Sequence, residues 1–190
     1  MRIRTLVSLA LALGAGAHAA AAQAPVQYKV LATLKTSTME KELNEAADQG
    51  FRFQAVMGGE TALSGSEVIS VMTKTAASTP QFAYKLLATN KTSTMEKELQ
   101  DAADLGFVYR GQTVFKSTFG GNEVVCILER DKNAPATQRF QYRLLATTRT
   151  GTMEKELGEA GTGGFLIVGL TIGKTALGGK ELVSITQRPK

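Results

Sequence analysis

The sequence has no tryptophan, one cysteine and one histidine, and each scarcity closes off a class of chemistry. A single cysteine, Cys126, cannot form an intrachain disulfide. It stands in the apolar run Val124-Val125-Cys126-Ile127-Leu128, where a small buried filler is expected and not a nucleophile. The one histidine, His18, lies in a stretch with the marks of a leader. Its removal leaves no imidazole for acid–base work or for a metal. No cofactor, no metal and no catalytic residue is therefore expected. An excess of one charge is missing too. Lysine and arginine number 22 against 17 acidic residues, a net charge of +5 that falls to +3 without Arg2 and Arg4. Nucleic-acid binders normally present a dense basic face, so nucleic acid is not expected as a partner.

The leader itself is legible. Arg2 and Arg4 precede an apolar run from Leu6 to about Gly14, and small residues continue through Ala22. This is the pattern of a cleavable signal peptide over residues 1–22. The run is too short and too rich in alanine and glycine for a membrane span. Cleavage after Ala24 would place Pro25 beyond the scissile bond, so Gln23 is the expected start of the mature chain. With no cysteine near the site a lipid anchor is not expected. The predicted location is the periplasm or the outside of the cell, in soluble form.

What the sequence does contain is repetition. The phrase Lys35-Thr-Ser-Thr-Met-Glu-Lys-Glu-Leu43 returns unchanged from Lys91 to Leu99, and as Arg149-Thr-Gly-Thr-Met-Glu-Lys-Glu-Leu157. Three units align around it without a gap: Val26–Lys74, Phe82–Arg130 and Phe140–Arg188. Thr75–Gln81 and Asp131–Arg139, which carry Pro80 and Pro135, read as exposed connectors. Internal repetition fixes the folding unit before any local assignment is made.

Each unit opens on a strand in which Tyr28, Val30 and Ala32, or Tyr84, Leu86 and Ala88, or Tyr142, Leu144 and Ala146 share one wholly apolar face. The other face is mixed, with Lys29 and Leu31, Lys85 and Leu87, or Arg143 and Leu145. That face is expected to be the back of the sheet, leaving the three leucines uncovered. A helix follows from about Thr38 to Gln49, with Met39, Leu43, Ala46 and Ala47 in one stripe and Glu40, Lys41, Glu45 and Asp48 mostly pointing outward. Ser37 and Glu40, like Ser93 and Glu96, have capping-box spacing, and Thr38, Thr94 and Thr152 offer a second cap. First-turn acids would complement the helix dipole. Gly50, Gly106 and Gly164 supply the left-handed residue that ends a helix, with Phe51, Phe107 and Phe165 packing back. Two more strands close the unit around a hairpin. The predicted fold is α+β, three tandem βαββ repeats, each a three-stranded sheet of order 1-3-2 with the helix on one face.

The motif Tyr-Lys-(Val/Leu)-Leu, followed by Glu-Leu-Asn-Glu-Ala-Ala-Asp-Gln-Gly-Phe in the first unit, resembles a small bacterial βαββ family catalogued as a domain of unknown function. That family opens on Tyr-Lys-Val-Val and ends its helix on Gly-Trp, where this chain has Gly-Phe. The resemblance covers most of each unit. It implies the fold alone, since that family carries no known catalytic residues. The order of elements is also similar to that of the dodecins, small flavin-binding oligomers, but the tryptophan that would stack on flavin is absent.

Several motifs suggest chemistry and dissolve on inspection. Gly169-Leu-Thr-Ile-Gly-Lys-Thr175 has three residues between its glycines where a phosphate loop needs four, and it lies between two strands. Thr38 and Lys41 have a nucleophile–lysine spacing, but that lysine most simply reaches solvent, and Glu40 and Glu42 point to different sides of a helix. Glu67, Glu123 and Glu181 recur at the start of the third strand, either as acids of raised pKa or as partners of a nearby lysine. Leu63, Phe119 and Leu177 place apolar residues at the hairpin tips, as a contact site or folded back on the sheet. The best candidate is the loop before each helix. Lys35, Thr36, Ser37 and Thr38, with Lys91, Thr92, Ser93 and Thr94, and Arg149, Thr150 and Thr152, combine a cation, hydroxyls and free N–H groups. An anion site needs those groups, and so does ordinary capping. The first functional expectation is an exported, non-enzymatic interaction or scaffold protein of the bacterial envelope with an unknown protein partner. The alternative is a module that binds a small anionic ligand.

Overall fold

The computed structural model describes residues 25–61, 65–89, 91–117, 121–135, 139–174 and 180–190. The leader, with its cleavage site and His18, and the three hairpin-tip residues Leu63, Phe119 and Leu177 lie outside them. The repeat is realised as three βαββ modules. The first holds β1 (Gln27–Thr33), α1 (Thr36–Asp48), β2 (Arg52–Thr61) and β3 (Gly65–Lys74). The second holds β4 (Phe82–Thr89), α2 (Thr92–Asp104), β5 (Val108–Ser117) and β6 (Gly121–Asp131). The third holds β7 (Phe140–Thr147), α3 (Thr150–Thr162), β8 (Leu166–Lys174) and β9 (Lys180–Pro189). The sheets have the orders β1-β3-β2, β4-β6-β5 and β7-β9-β8, and each central strand is antiparallel to both neighbours.

Each helix ends as its sequence requires. Gly50, Gly106 and Gly164 have φ of 85°, 85° and 79°, the left-handed conformation that glycine adopts without a Cβ clash. In the first module the Gly50 N–H donates to Ala47 O at 2.9 Å and the Phe51 N–H to Ala46 O at 3.0 Å, the paired bonds of a Schellman ending. The guanidinium of Arg130 then covers the Phe107 ring at 4.9 Å, and Arg188 covers Phe165 at 4.7 Å.

The helix starts depart from expectation. The N-caps are Lys35, Lys91 and Arg149, none with a side-chain cap, and no acid lies in any first turn. The Met39 N–H already bonds Lys35 O at 3.1 Å, so the helix begins at Thr36 and Ser37 lies inside it. The expected capping boxes and the second caps at Thr38, Thr94 and Thr152 do not form. Glu40 is the fifth helical residue, past the reach of the N-terminus.

The larger correction concerns which face of each sheet its own helix covers. Leu31, Leu87 and Leu145 are buried, and they sit under the helix of their own module. The apolar face that carries Tyr84 and Leu86 packs instead against the preceding module. One core joins Met39, Leu43, Ala46 and Ala47 of α1 to Leu31, Val68 and Met72 of its own sheet, and to Tyr84, Val125 and Ile127 of the next. A second core repeats the arrangement around α2, drawing Tyr142 and Ile185 from the third module. The cause is that α1 and α2 bury surface on two sides. Each of these two helices is shared between two sheets, and the strand alternation simply assigns one face to each helix. Cys126, as expected, is fully buried, and burial pushes its thiol pKa up.

Candidate functional site

The surfaces between modules are the most specifically built regions of the chain. β4 lies at the edge of its sheet, so alternate backbone groups have no strand to pair with. The side chains of α1 satisfy them. Glu40 Oε2 accepts the Leu86 N–H at 2.8 Å; Asn44 accepts the Tyr84 N–H at 2.9 Å and donates to Tyr84 O at 2.9 Å. The second junction repeats the clamp with Glu96 on Leu144 N at 2.8 Å, and Gln100 on Tyr142 N and Phe140 O, each at 3.2 Å. A tyrosine hydroxyl completes each set. Tyr84 Oη accepts the Phe53 N–H and Tyr142 Oη accepts the Tyr109 N–H, both at 2.8 Å. Burial pushes both phenols up, Tyr142 to about 12.

The first junction adds a charge cluster. Glu129 is almost fully buried, and its Oε1 accepts from Arg52 at 2.8 Å and from Arg110 at 2.7 Å. The Tyr84 hydroxyl donates to Oε2 at 2.8 Å. The hydrogen bond to Glu129 raises the Arg52 pKa further, and Arg52 also stacks on the Phe82 ring at 4.2 Å. An open cleft of about 670 Å³ borders this cluster, lined among others by Arg52, Phe82, Arg110, Arg130 and Lys132. Among the described residues no group of three or more His, Cys, Asp or Glu side chains could hold a metal ion.

The predicted anion loops lie at the helix starts. Lys35, Lys91 and Arg149 are the N-caps, while Thr36, Ser37 and Thr38, Thr92, Ser93 and Thr94, and Thr150 and Thr152 fall in the first turns. A groove beside the second start joins Thr92 and Ser93 with Glu96, Lys97 and Asp101. Lys41 pairs with Glu45 at 3.6 Å on the exposed face of α1. Glu67, Glu123 and Glu181 are half-buried within the third strands, opposite Gly59, Phe115 and Gly173. Spacing assigns Glu40 and Glu96 to capping boxes, and it gives no role to Asn44, Gln100 or the Arg52–Glu129–Arg110 cluster. Their signal was difference between copies: Glu129 aligns with Thr73 and Gln187, and Asn44 and Gln100 align with Gly158.

The clamp exists twice, but the face that receives it exists three times. On the first sheet Tyr28, Val30 and Met57 are 69%, 64% and 63% exposed, with Ala32 and Ala55 also open. Val71 and Ile69, paired with Val30 and Met57, continue this apolar surface across the sheet. No protein-family profile, curated protein or solved structure matches the chain. Among the described residues no helix is long and apolar enough to cross a membrane.

Proposed function

We propose that the protein is an exported, non-enzymatic interaction or scaffold protein of the bacterial envelope. The observation that carries this reading is the open outer face of the first sheet. Its counterparts on the second and third sheets are binding surfaces, each covered by a helix and fitted with polar anchors. A contiguous exposed apolar surface of this kind marks an interaction site. The remaining polar clusters support the reading, because Glu129 is held by three donors and Cys126 is sealed in the core. A photo-reactive amino acid placed at Val30 in the native host tests it. Discrete cross-linked products at position 30, and none from a control at the exposed Lys97, are expected. The reverse pattern, or no product at either position, rejects the reading.

A second reading is anion binding at the helix starts. It gains from one observation: no acid and no side-chain cap occupies the first turn of any helix. The N–H groups there, with Lys35, Lys91 or Arg149 nearby, suit a small anion held weakly and in a salt-sensitive way. Titrating phosphate, sulfate or a small carboxylate should raise Tm in the wild type and not in the triple Lys35→Ala, Lys91→Ala, Arg149→Ala variant. Equal gains in both proteins would reduce these loops to plain helix starts.

A further inference from the structure

We infer that copies of the chain associate head to tail, with the last module of one copy covering the first sheet of the next. This rests on the interaction reading above and names the partner. Among the described residues, the exposed large hydrophobics other than Leu105 fall on modules one and three. Val26, Tyr28, Val30, Leu34 and Met57 belong to the first, and Leu166, Ile167, Leu170 and Ile172 to the third. The terminal units of a stacked repeat array ordinarily carry a polar outer face. Here both ends are apolar, and they are the two unlike halves of a junction that the chain makes twice internally.

The halves fit in detail. In the first junction Gly111 leaves room for Phe53 and Val56, whose carbons lie 3.2 and 3.4 Å from where its Cβ would be. In the second, Gly169 makes the same room for Tyr109 and Gln112. By the repeat alignment the position equivalent to Gly111 and Gly169 in the first module is Ala55. It would face Ile167 and Leu170 of another copy. The larger residue on one side meets a smaller side chain on the other, aliphatic where the internal junctions use an aromatic ring. Charge agrees as well. The positions of Arg52, Arg110 and Glu129 are taken at this junction by Leu166, Gln54 and Thr73, so no ion would be buried without a partner.

One part of the clamp is missing. Glu154 stands where Glu40 and Glu96 do and can accept the Val30 N–H, but Gly158 replaces the amide that would pair with the Tyr28 backbone. The contact between copies is therefore weaker than the contacts within the chain, and it is reversible. An interface that joins unlike surfaces closes into a ring or runs on as a filament, according to the rotation between copies.

The test uses the chain from Gln23 in sedimentation over a wide concentration range. A mass that rises with concentration beyond the dimer is expected. Val30→Glu blocks one end and Ile172→Glu the other, so each variant alone should be monomeric. Mixing the two should restore a one-to-one dimer and nothing larger, because each contributes its one intact end. Gly158→Asn should tighten the wild-type association about tenfold by returning hydrogen bonds to the edge strand. If Ile172→Glu still dimerises while Val30→Glu does not, the first sheet pairs with itself and the inference is wrong. A chain that stays monomeric at every concentration also overturns it. The interaction reading would survive that result if the cross-linker at position 30 still captured a different protein, and it falls if position 30 captures nothing.

Discussion

The two junctions inside the chain share a clamp and differ in charge. Both hold the edge strand of the next module with a glutamate on one N–H and an amide on its neighbour, and both seat a tyrosine hydroxyl on the preceding sheet. Only the first adds Arg52, Arg110 and Glu129. In the second, Val108, Val168 and Gln187 stand at those positions, and the Gln187 Oε1 atom is buried without a partner. The clamp is thus the general device for stacking modules. The ion cluster is a local addition, and the two can be separated by experiment.

The largest effect should come from removing both junctions. An isolated second module, Phe82–Arg130, would expose Tyr84, Val125 and Ile127 on one side and the outer side of α2 on the other. At 49 residues it is also near the size where a lone core becomes marginal. We expect this fragment to be unfolded or self-associated; a cooperative, monomeric melt would show that the junctions are dispensable.

Next in size is Glu129→Ala. It strands two guanidinium groups, each about half exposed, and a tyrosine hydroxyl, and breaking a buried pair costs about 3–5 kcal/mol. The partial exposure of the arginines places the expected loss at the lower end. Gln187→Ala, at the equivalent position, should cost about 1 kcal/mol or less, since its carbonyl has no bond to lose. Urea melts of the two variants compare them directly, and equal losses would mean that the cluster adds nothing to the first junction.

A smaller effect is expected from the amides. Asn44→Ala leaves the Tyr84 N–H and C=O of the edge strand unpaired, at about 1–3 kcal/mol. Gln100→Ala should cost less, because its bonds are 3.2 Å long against 2.9 Å. An inverted order would show that length is a poor guide here.

The smallest effect concerns α3, the one helix that clamps no second module among the described residues. A Cβ added at Gly158 or Gly161 would meet nothing within 4 Å. Alanine at each should therefore stabilise by about 0.8–1 kcal/mol. Hydrogen exchange should be faster across Met153–Gly163 than across Met95–Leu105, and the two alanines should narrow the gap. Equal protection in the wild type would mean that packing on β7 overrides the glycines.

The repeat made much of this architecture legible. The apolar stripe Met39, Leu43, Ala46 and Ala47 and the glycine at each helix end depend on local periodicity, and the structure reproduces both. Strand order follows from the crossover and from the hairpin that supplies the middle strand. The assignment of sheet faces was not legible. Alternation separates the Tyr28 face from the Leu31 face, but it does not say which one meets the module's own helix. The capping boxes failed for a related reason: Glu40 and Glu96 bond a strand some 46 or 48 residues away, which spacing within the helix does not reveal. Glu129 was hidden because it is polar in an otherwise apolar strand pattern and its partners come from two modules.

The shared helix also sets an order of assembly. As the chain grows from its N-terminus, α1 is complete before β4 appears, and α2 before β7. The cover for each later sheet is therefore already waiting when the sheet arrives, so the nascent chain never carries more than one newly made apolar face in search of a helix. Growth in the opposite direction would leave each sheet bare until the next helix was made. Among the described residues the first sheet meets no earlier helix, and its outer face stays open, as does the outer side of the third module.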